Sequence, residues 1–295
     1  MIFIEPYSGS APIVDFIKSS QGPIDIEMYY LASRPILHAM AAAQQRGQSV
    51  RVIIDGRPYK MPHHLVAREI ARIKATGAEV KVAPHRFDQA FRFDHAKYAV
   101  TSTRVLIGTA NWDYSAFHWN REYVLTTSDP SLVRALHIVF RSDWDDRRVG
   151  RQPRQMAQRL VLSPWSESRL AAVIDQPGKI DVEAEELGAA PALLGALERK
   201  GRDASVILPA RLSSRDERNV VALRQAGVEV RELPVRPIYM HAKMIAGDRI
   251  GFIGSENISK ASLDHNREIG VIVQNHTELS QLRHQFKEDW DSAVQ

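Results

Sequence analysis

The stretch Asp94–Glu122, DHAKYAVTSTRVLIGTANWDYSAFHWNRE, decides the fold because the chain contains it twice. The same pattern returns 146 positions later as MHAKMIAGDRIGFIGSENISKASLDHNRE, at residues 240–268. The register holds without a gap from 95–145 to 241–291, with 14 identities over those 51 positions. Such self-similarity indicates an internal duplication, in which each copy forms one structural unit.

The polar residues that both copies keep are types that perform chemistry. The first copy has His95, Lys97, Asn111 and Glu122, and the second has His241, Lys243, Asn257 and Glu268. Two copies with the same spacing make a coincidence of surface residues a poor explanation. The sequence therefore predicts that these eight residues are catalytic, and that Thr109 and its counterpart Ser255 support them.

The length and composition fit a duplicated globular chain. A chain of 295 residues is long enough for about two domains. We expect an N-terminal domain at 1–150 and a C-terminal domain at 151–295, each with one copy of the motif. Hydrophobic residues make up 44% and charged residues 25%, which is ordinary for a globular protein. Lys and Arg number 39 against 35 Asp and Glu, an excess that is compatible with an anionic substrate.

The sequence lacks cysteine, a long apolar run and the features of a signal peptide, and these absences narrow the expected chemistry and location. With no cysteine, the chain cannot use thiol catalysis, Cys-ligated zinc or disulfides. No apolar run reaches the length of a membrane span. The N-terminus lacks the features of a signal peptide, so we expect a cytoplasmic protein or one whose leader has been removed.

Strand and helix patterns alternate in both halves. In the first half they predict helices at 11–19, 33–45 and 62–75, and strands at 24–29, 49–54, 79–82, 96–100, 105–107 and 121–126. The segment Ile24–Glu27 is answered by Ile180–Glu183. Ser131 and Thr277 are expected to cap helices. The alternation indicates an α/β fold, with two similar α/β/α lobes of mixed, mostly parallel sheets packed about a pseudo-twofold axis.

The doubled motif suits cleavage of a phosphodiester. A His and a Lys two residues apart on a strand point to the same face. If the lobes pack about a twofold axis, two imidazoles, two ammonium groups and two amides converge on one anion. Lysines and amides can hold the non-bridging oxygens. One neutral imidazole can then attack phosphorus while the other, protonated, donates to the leaving oxygen, so that a phosphohistidine forms.

The two histidines need opposite protonation states, so their surroundings must differ. Glu122 and Glu268 can each hold an imidazole by its second nitrogen. The alternative interpretation of these glutamates is an ion pair with Arg121 or Arg267.

The motifs resemble those of the phospholipase D superfamily, H-x-K-x4-D followed by G-[ST]-x-N. The second copy matches in full, with His241, Lys243, Asp248, Gly254, Ser255 and Asn257, and the first matches except that Ser102 replaces the Asp. The resemblance covers nearly the whole chain. It implies a metal-independent enzyme without a cofactor, with His95 as nucleophile and His241 as general acid. The resemblance implies that the motif Asp supports the motif by hydrogen bonding. This residue is Asp248 in the second copy, and Ser102 takes its place in the first.

The resemblance to small bacterial phospholipase D-like and cardiolipin-synthase-like proteins makes a phospholipid the leading substrate. We expect hydrolysis or transfer of the phosphatidyl group, transient contact with a membrane surface, and a monomer that holds both half-sites. The first alternative is a nuclease of the same superfamily. The excess of basic over acidic residues and the arginines between the halves favour it. The second alternative is a phosphate-binding module whose first motif has decayed at Ser102.

Three other groups of residues have more than one possible role. The segment between the halves is rich in arginine, and we expect it to be a solvated connector rather than a phosphate-binding arm. Its arginines are Arg147, Arg148, Arg151, Arg154 and Arg159. His63, His64, His85 and Asp94 match no zinc spacing, and the three histidines are expected to be ordinary surface residues of helices or loops. Four aromatic residues follow Asn111: Trp112, Tyr114, Phe117 and Trp119. We expect them to pack in the core or, if they are exposed, to bind acyl chains or stacked bases.

Overall fold

The computed structural model describes residues 1–294, in which each half of the chain builds one β-sheet flanked by helices. The first half contains strands β1 (Ile2–Glu5), β2 (Ile24–Met28), β3 (Val50–Ile54), β4 (Glu79–Val82), β5 (Lys97–Thr101), β6 (Val105–Gly108) and β7 (Asn120–Thr127). Its helices are α1 (Ala11–Lys18), α2 (Arg34–Gln45), α3 (His63–Lys74), α4 (Tyr114–His118) and α5 (Pro130–Trp144).

The second half repeats this order. Its strands are β8 (Leu160–Ser163), β9 (Ile180–Ala184), β10 (Ala204–Pro209), β11 (Glu229–Leu233), β12 (Tyr239–Met240), β13 (Lys243–Gly247), β14 (Gly251–Gly254) and β15 (Glu268–Val273). Its helices are α6 (Gln152–Met156), α7 (Glu167–Ile174), α8 (Pro191–Lys200), α9 (Ser214–Gln225), α10 (Lys260–Asp264) and α11 (His276–Ser292). None of the helices within residues 1–294 is both long enough and apolar enough to cross a membrane.

The two sheets have matching strand orders, which confirms the predicted α/β fold with duplicated mixed sheets. The first sheet runs β1-β7-β6-β5-β2-β3-β4, and the second runs β8-β15-β14-β13-β9-β10-β11. The expectation that the sheets are mostly parallel is wrong. Four of the six pairings along each of these orders are antiparallel. The turns between β5 and β6 and between β13 and β14 are too short for the crossover that parallel strands require.

The predicted elements before residue 145 are present within one or two residues of their expected ends, but two predicted caps are wrong. Helix α5 is capped by Asp129, whose side chain accepts a hydrogen bond from the Ser131 amide. Pro130 lacks an amide hydrogen and occupies the first turn, so the cap lies before it. Helix α11 is capped by Asn275 rather than Thr277, because the Asn275 side chain accepts from the Glu278 amide.

The two halves share one hydrophobic core. It joins inward-facing side chains of both sheets to helices α5 and α11. Two smaller cores lie on the outer sides, one against α1 and α2 and the other against α7, α8 and α9. We propose 1–150 and 151–295 as two domains that depend on this common core.

Two buried ion pairs cross between the halves in a reciprocal way. The guanidinium of Arg121 lies 2.6 Å from Asp289 on α11, and that of Arg267 lies 2.8 Å from Asp143 on α5. All four residues are buried. The arginines belong to the repeated Asn-Arg-Glu segment and the aspartates to the repeated Asp-Trp-Asp segment. Each arginine of one copy therefore pairs with the aspartate of the other copy. Such reciprocal contacts are those that a twofold arrangement generates.

Replacement of Asp289 by Asn should destabilise the protein by about 3–5 kcal/mol, because it leaves the Arg121 guanidinium buried without its charge partner. Denaturant unfolding measures this loss. Asp291→Asn is the matched control, since Asp291 lies on the same helix, is 61% exposed and pairs with exposed Lys287. Equal unfolding midpoints for the two variants would contradict a stabilising role for the buried pair.

Candidate active site at the interface between the halves

The strands β5 and β13 place a lysine and a histidine together in each half. Lys97 and Lys243 are the first residues of these strands, and each motif histidine lies two residues earlier. The Lys97 ammonium donates to the carbonyl of His95 at 2.7 Å, and the Lys243 ammonium donates to the carbonyl of His241 at 2.6 Å. Both lysines are buried, so their charges are directed into the interface rather than into solvent.

The segment that leads into each histidine crosses onto the other half. The amide of His95 donates to the carbonyl of Arg267 at 2.9 Å. Strand β12, directly before His241, pairs with β7 in parallel, with Met240 opposite Arg121. The backbone before each histidine is therefore held by the Asn-Arg-Glu segment of the opposite copy.

As a result, each imidazole contacts the glutamate of the opposite half. His95 Nδ1 lies 2.9 Å from Glu268 Oε2, and His241 Nδ1 lies 2.6 Å from Glu122 Oε1. Both glutamates are fully buried. The alternative interpretation, an ion pair between these glutamates and Arg121 or Arg267, is wrong because both arginines bind aspartates instead.

Polar residues of the same motifs hold the two glutamates. Glu268 Oε1 accepts from Ser262 at 2.7 Å and from Asn266 at 3.1 Å. The Thr109 hydroxyl donates to Glu122, and the Asn120 amide lies 3.4 Å from the same carboxylate. A carboxylate with several donors has a fixed orientation, so it can fix the ring of its histidine.

The hydroxyl groups of Thr109 and Ser255 also join neighbouring strands. Thr109 accepts from the amide of Tyr123, and Ser255 accepts from the amide of Ile269, both at 2.9 Å. The two residues that follow β6 and β14 thus have equivalent structural roles.

Asn111 and Asn257 retain unused hydrogen-bonding capacity. The Oδ1 atom of each is buried, and neither has a hydrogen-bond partner in the part of the chain that the structure describes. Buried amides without partners are rare in folded proteins. They are the amides of the repeated motif, which the sequence predicts to hold the oxygens of an anion.

The structure does not bring Ser102 or Asp248 to this site. Both lie in the turns at the far ends of β5 and β13, five residues beyond the lysines, which corresponds to about 17 Å of extended strand. Asp248 is 43% exposed and pairs with Arg283 at 2.6 Å. The substitution at Ser102 therefore leaves the contacts of His95 and Lys97 intact.

Burial and neighbouring charges shift the pKa values of several site residues. Burial lowers the pKa of His95, although Glu268 opposes this effect. Burial also lowers the pKa of Lys97 to about 7. Burial alone would raise the pKa of Glu268, but His95 and Lys97 outweigh it and lower that pKa. At neutral pH the site thus favours an uncharged His95 beside an ionised Glu268.

Sequence reasoning missed Glu185, which makes the two half-sites different. Its Oε2 lies 2.7 Å from Lys243 Nζ and 3.4 Å from His241 Nε2. Burial would raise the pKa of Glu185, but the charges of His241 and Lys243 outweigh it and lower that pKa to about 2. Its counterpart in the first half is Tyr29, whose ring packs edge-on against His95 with centroids 4.6 Å apart. The matching segments at 24–27 and 180–183 end only two residues before this pair, so alignment could have found it.

A second missed residue is Glu256, which stands where the first copy has Ala110. Both of its carboxylate oxygens are buried without a partner among residues 1–294. Burial raises its pKa well above the usual range, which favours the uncharged form.

The other candidate groups are not part of this site. Trp112 and Phe117 are core residues, whereas Tyr114 and Trp119 are 63% and 42% exposed. His63, His64 and His85 are exposed surface or loop residues. Among residues 1–294, no group of three or more His, Cys, Asp or Glu is arranged to hold a metal ion.

Comparisons with known proteins find relatives for part of this chain. The chain is 29% identical over 131 residues to mitochondrial cardiolipin hydrolase of Xenopus laevis, a match that covers 44% of this chain and 58% of the relative. It is 31% identical over 130 residues to the human protein of the same name, which covers 44% of this chain and 48% of the relative. The match to cardiolipin synthase A of Pseudomonas entomophila is 31% over 123 residues, or 41% of this chain and 24% of that one. The matches thus span about half, or less, of the length of these relatives.

Solved structures show the same fold over the whole chain. Phosphatidylserine synthase from Haemophilus influenzae has a TM-score of 0.67 and 13% identity, with 98% of this chain and 85% of that chain covered. Polyphosphate kinase from Porphyromonas gingivalis has a TM-score of 0.72 and 16% identity, with 97% of this chain and 49% of that chain covered.

A family model described as "Cardiolipin synthase, PLD-like domain" matches residues 13–144 and 189–290, which include both copies of the motif. With this match and the duplicated fold, the chain belongs to the phospholipase D superfamily.

Proposed function

We propose that this protein is a phosphodiesterase that hydrolyses or transfers the phosphatidyl group of phospholipids through a phosphohistidine. One observation carries the proposal: His95 and His241 are each held by the glutamate of the opposite half, beside two buried lysines. This arrangement supplies a nucleophile, an acid and positive charge at one interface. Reaction through these groups needs no metal ion.

In the proposed reaction His95 is the nucleophile. Glu268 accepts a hydrogen bond from Nδ1–H of the ring, which leaves the lone pair of Nε2 for attack on phosphorus. The N–P bond forms as the bond from phosphorus to the leaving oxygen breaks. Lys97 and Lys243, with the amides of Asn111 and Asn257, bind the non-bridging oxygens and stabilise the charge that develops on them.

His241 is the proposed general acid. Its two ring nitrogens face two carboxylates, Glu122 at 2.6 Å and Glu185 at 3.4 Å. In the proposed reaction the imidazole is protonated, so that it can donate from both nitrogens. His241 gives its Nε2 proton to the leaving oxygen. It then removes a proton from water or an alcohol, which attacks the phosphohistidine and releases His95.

The substrate class rests on relatives rather than on the site, since any phosphodiester could be bound by these charges. The family model and the matched curated proteins are named for cardiolipin hydrolysis or synthesis. Two exposed aromatic residues that follow Asn111, Tyr114 and Trp119, offer apolar surface for a lipid. These observations support a phospholipid over a nucleic acid.

We expect cardiolipin–phosphatidylglycerol vesicles to release phosphatidate, or to exchange a headgroup with added alcohol, with EDTA present. His95→Ala should reduce this turnover by at least about 100-fold, because no phosphohistidine can form. Single-stranded DNA is incubated in parallel, and lipid extraction and gel electrophoresis detect the products. Shortened DNA without lipid products would indicate the nuclease instead. Phosphate binding without products in both wild type and variant would indicate the binding module.

Glu185→Gln should remove the asymmetry between the two histidines. We expect kcat/KM for dihexanoyl phosphatidylcholine to fall about tenfold or more, since its alcohol leaving group needs a proton and a positioned acid contributes roughly 100 to 10,000-fold. After alkaline quenching, mass spectrometry should find the phosphoryl group on both His95 and His241 rather than on His95 alone. Glu186→Gln is the matched control, because within residues 1–294 Glu186 makes no ion pair with His241. Labelling confined to His95 at an unchanged rate in the Glu185 variant would refute this role.

The pH dependence of kcat/KM should be a narrow bell. His95 must be neutral to attack, so activity is lost as pH falls through its pKa, which lies below the usual 6.5. Lys97 must be charged, so activity is also lost as pH rises through its pKa of about 7. Initial rates on the same soluble diester at subsaturating concentration measure both limbs. Lys97→Arg keeps its charge at high pH and should move the upper limb to higher pH; a profile that keeps rising to pH 9 in the wild type would contradict this assignment.

A further inference from the structure

A basic cavity of about 560 Å³ lies where the loop before His95, the connector between the halves and the second half meet. The cations that line it are Arg86, Arg92, Arg148, Arg154, Lys260 and Arg267. Asp264 is the one carboxylate residue among its lining residues. A concave surface with this excess of positive charge concentrates anions.

Some of these cations have structural partners. Arg86 lies 2.7 Å from Asp146, Arg154 donates to the Pro164 carbonyl at 2.8 Å, and Lys260 pairs with Asp264 at 2.7 Å. These contacts fix the walls of the cavity.

Arg92 and Arg148 are different. Both are exposed, and neither guanidinium has a hydrogen bond or an ion pair with any of residues 1–294. They are therefore available to an anionic ligand without the loss of an existing contact. A guanidinium binds phosphate oxygens in a bidentate way.

The cavity also has an apolar and aromatic wall. The ring of Phe87 lies 4.9 Å from the guanidinium of Arg86 and 4.6 Å from that of Arg267. Phe87 and Leu162 are nearly buried, and Val149 is partly exposed and adds aliphatic surface. Trp165 lies at the edge and is 76% exposed. A wall of this kind beside cations suits a ligand with a charged head and an apolar body, and tryptophan is enriched where proteins meet the membrane interface.

This cavity is separate from the site of the two histidines. None of the eight predicted catalytic residues lines it. Arg148, Val149 and Arg154 come from the connector, which joins the halves only once and so has no duplicate elsewhere in the chain. The cavity is thus a feature that duplication of the catalytic half-site did not produce.

We propose that this cavity is a second anion site, which binds the phosphate headgroup of an anionic lipid through Arg92 and Arg148 with the lipid's apolar part against Val149 and Trp165. The connector therefore acts as a lipid-phosphate-binding arm rather than only a solvated link. The proposal concerns binding and does not depend on turnover at the histidines.

The probe is dihexanoyl phosphatidate, titrated calorimetrically and by tryptophan fluorescence. Arg92→Gln/Arg148→Gln should weaken its binding at least about tenfold, because the phosphate loses its charge-assisted hydrogen bonds to both guanidinium groups. Trp165→Phe should remove most of the fluorescence change, which assigns the signal to this cavity. Turnover of bis(p-nitrophenyl) phosphate by the double variant should stay at the wild-type level, so this test remains separate from that of the catalytic proposal.

The matched control is Arg215→Gln/Arg218→Gln, which removes the same charge from the exposed face of α9 and should bind the probe within about twofold of the wild type. Equal weakening by the two double variants would show general electrostatic attraction and overturn the proposal, as would unchanged binding by Arg92→Gln/Arg148→Gln. Dihexanoyl glycerol, which lacks phosphate, should not bind. Inorganic phosphate that bound as tightly as the lipid would assign the cavity to free phosphate and overturn the lipid assignment.

Discussion

The structure depends on the exchange of one short segment between its two halves. The residues that lead into each motif histidine leave their own sheet and run beside the Asn-Arg-Glu segment of the other copy. This backbone contact places His95 against Glu268 and His241 against Glu122. Neither half has a complete set of the proposed catalytic groups, because the carboxylate that contacts each imidazole belongs to its partner half. Folding of the interface and assembly of the site are therefore one event.

The same exchange explains why so many charges are buried at the interface. Arg121 and Arg267 lie on the strands that carry the two glutamates, and each guanidinium meets an aspartate from the opposite copy. Burying a single charge is costly, and a buried pair recovers that cost only when its geometry is good. The reciprocal pairs thus favour one register of the two halves over others. That register is also the one in which the imidazoles and glutamates meet.

A symmetric interface would give two equivalent histidines, whereas the proposed reaction needs two different ones. The difference comes from residues outside the repeated motif. Tyr29 presents an aromatic ring to His95, and its counterpart Glu185 presents a carboxylate to Lys243 and His241. The connector adds a second asymmetry, because it lines a basic cavity on one side only. Sequence divergence at these few positions allows the two halves of a duplicated fold to have different roles.

The sequence by itself determined the duplication, the α/β class and the eight polar residues of the motif, since spacing and periodicity are local properties that survive in both copies. It could not give strand direction, because that depends on which strands pair, nor the choice of cap at Asp129 and Asn275, where several polar residues compete. Tertiary structure alone decided that each glutamate serves the histidine of the other half, and that Asp248 and Ser102 lie at the far end of their strands. It also brought Glu185 to the site from a segment 56 residues away from His241. These contacts join residues distant in sequence, and only the packing of the two halves fixes them.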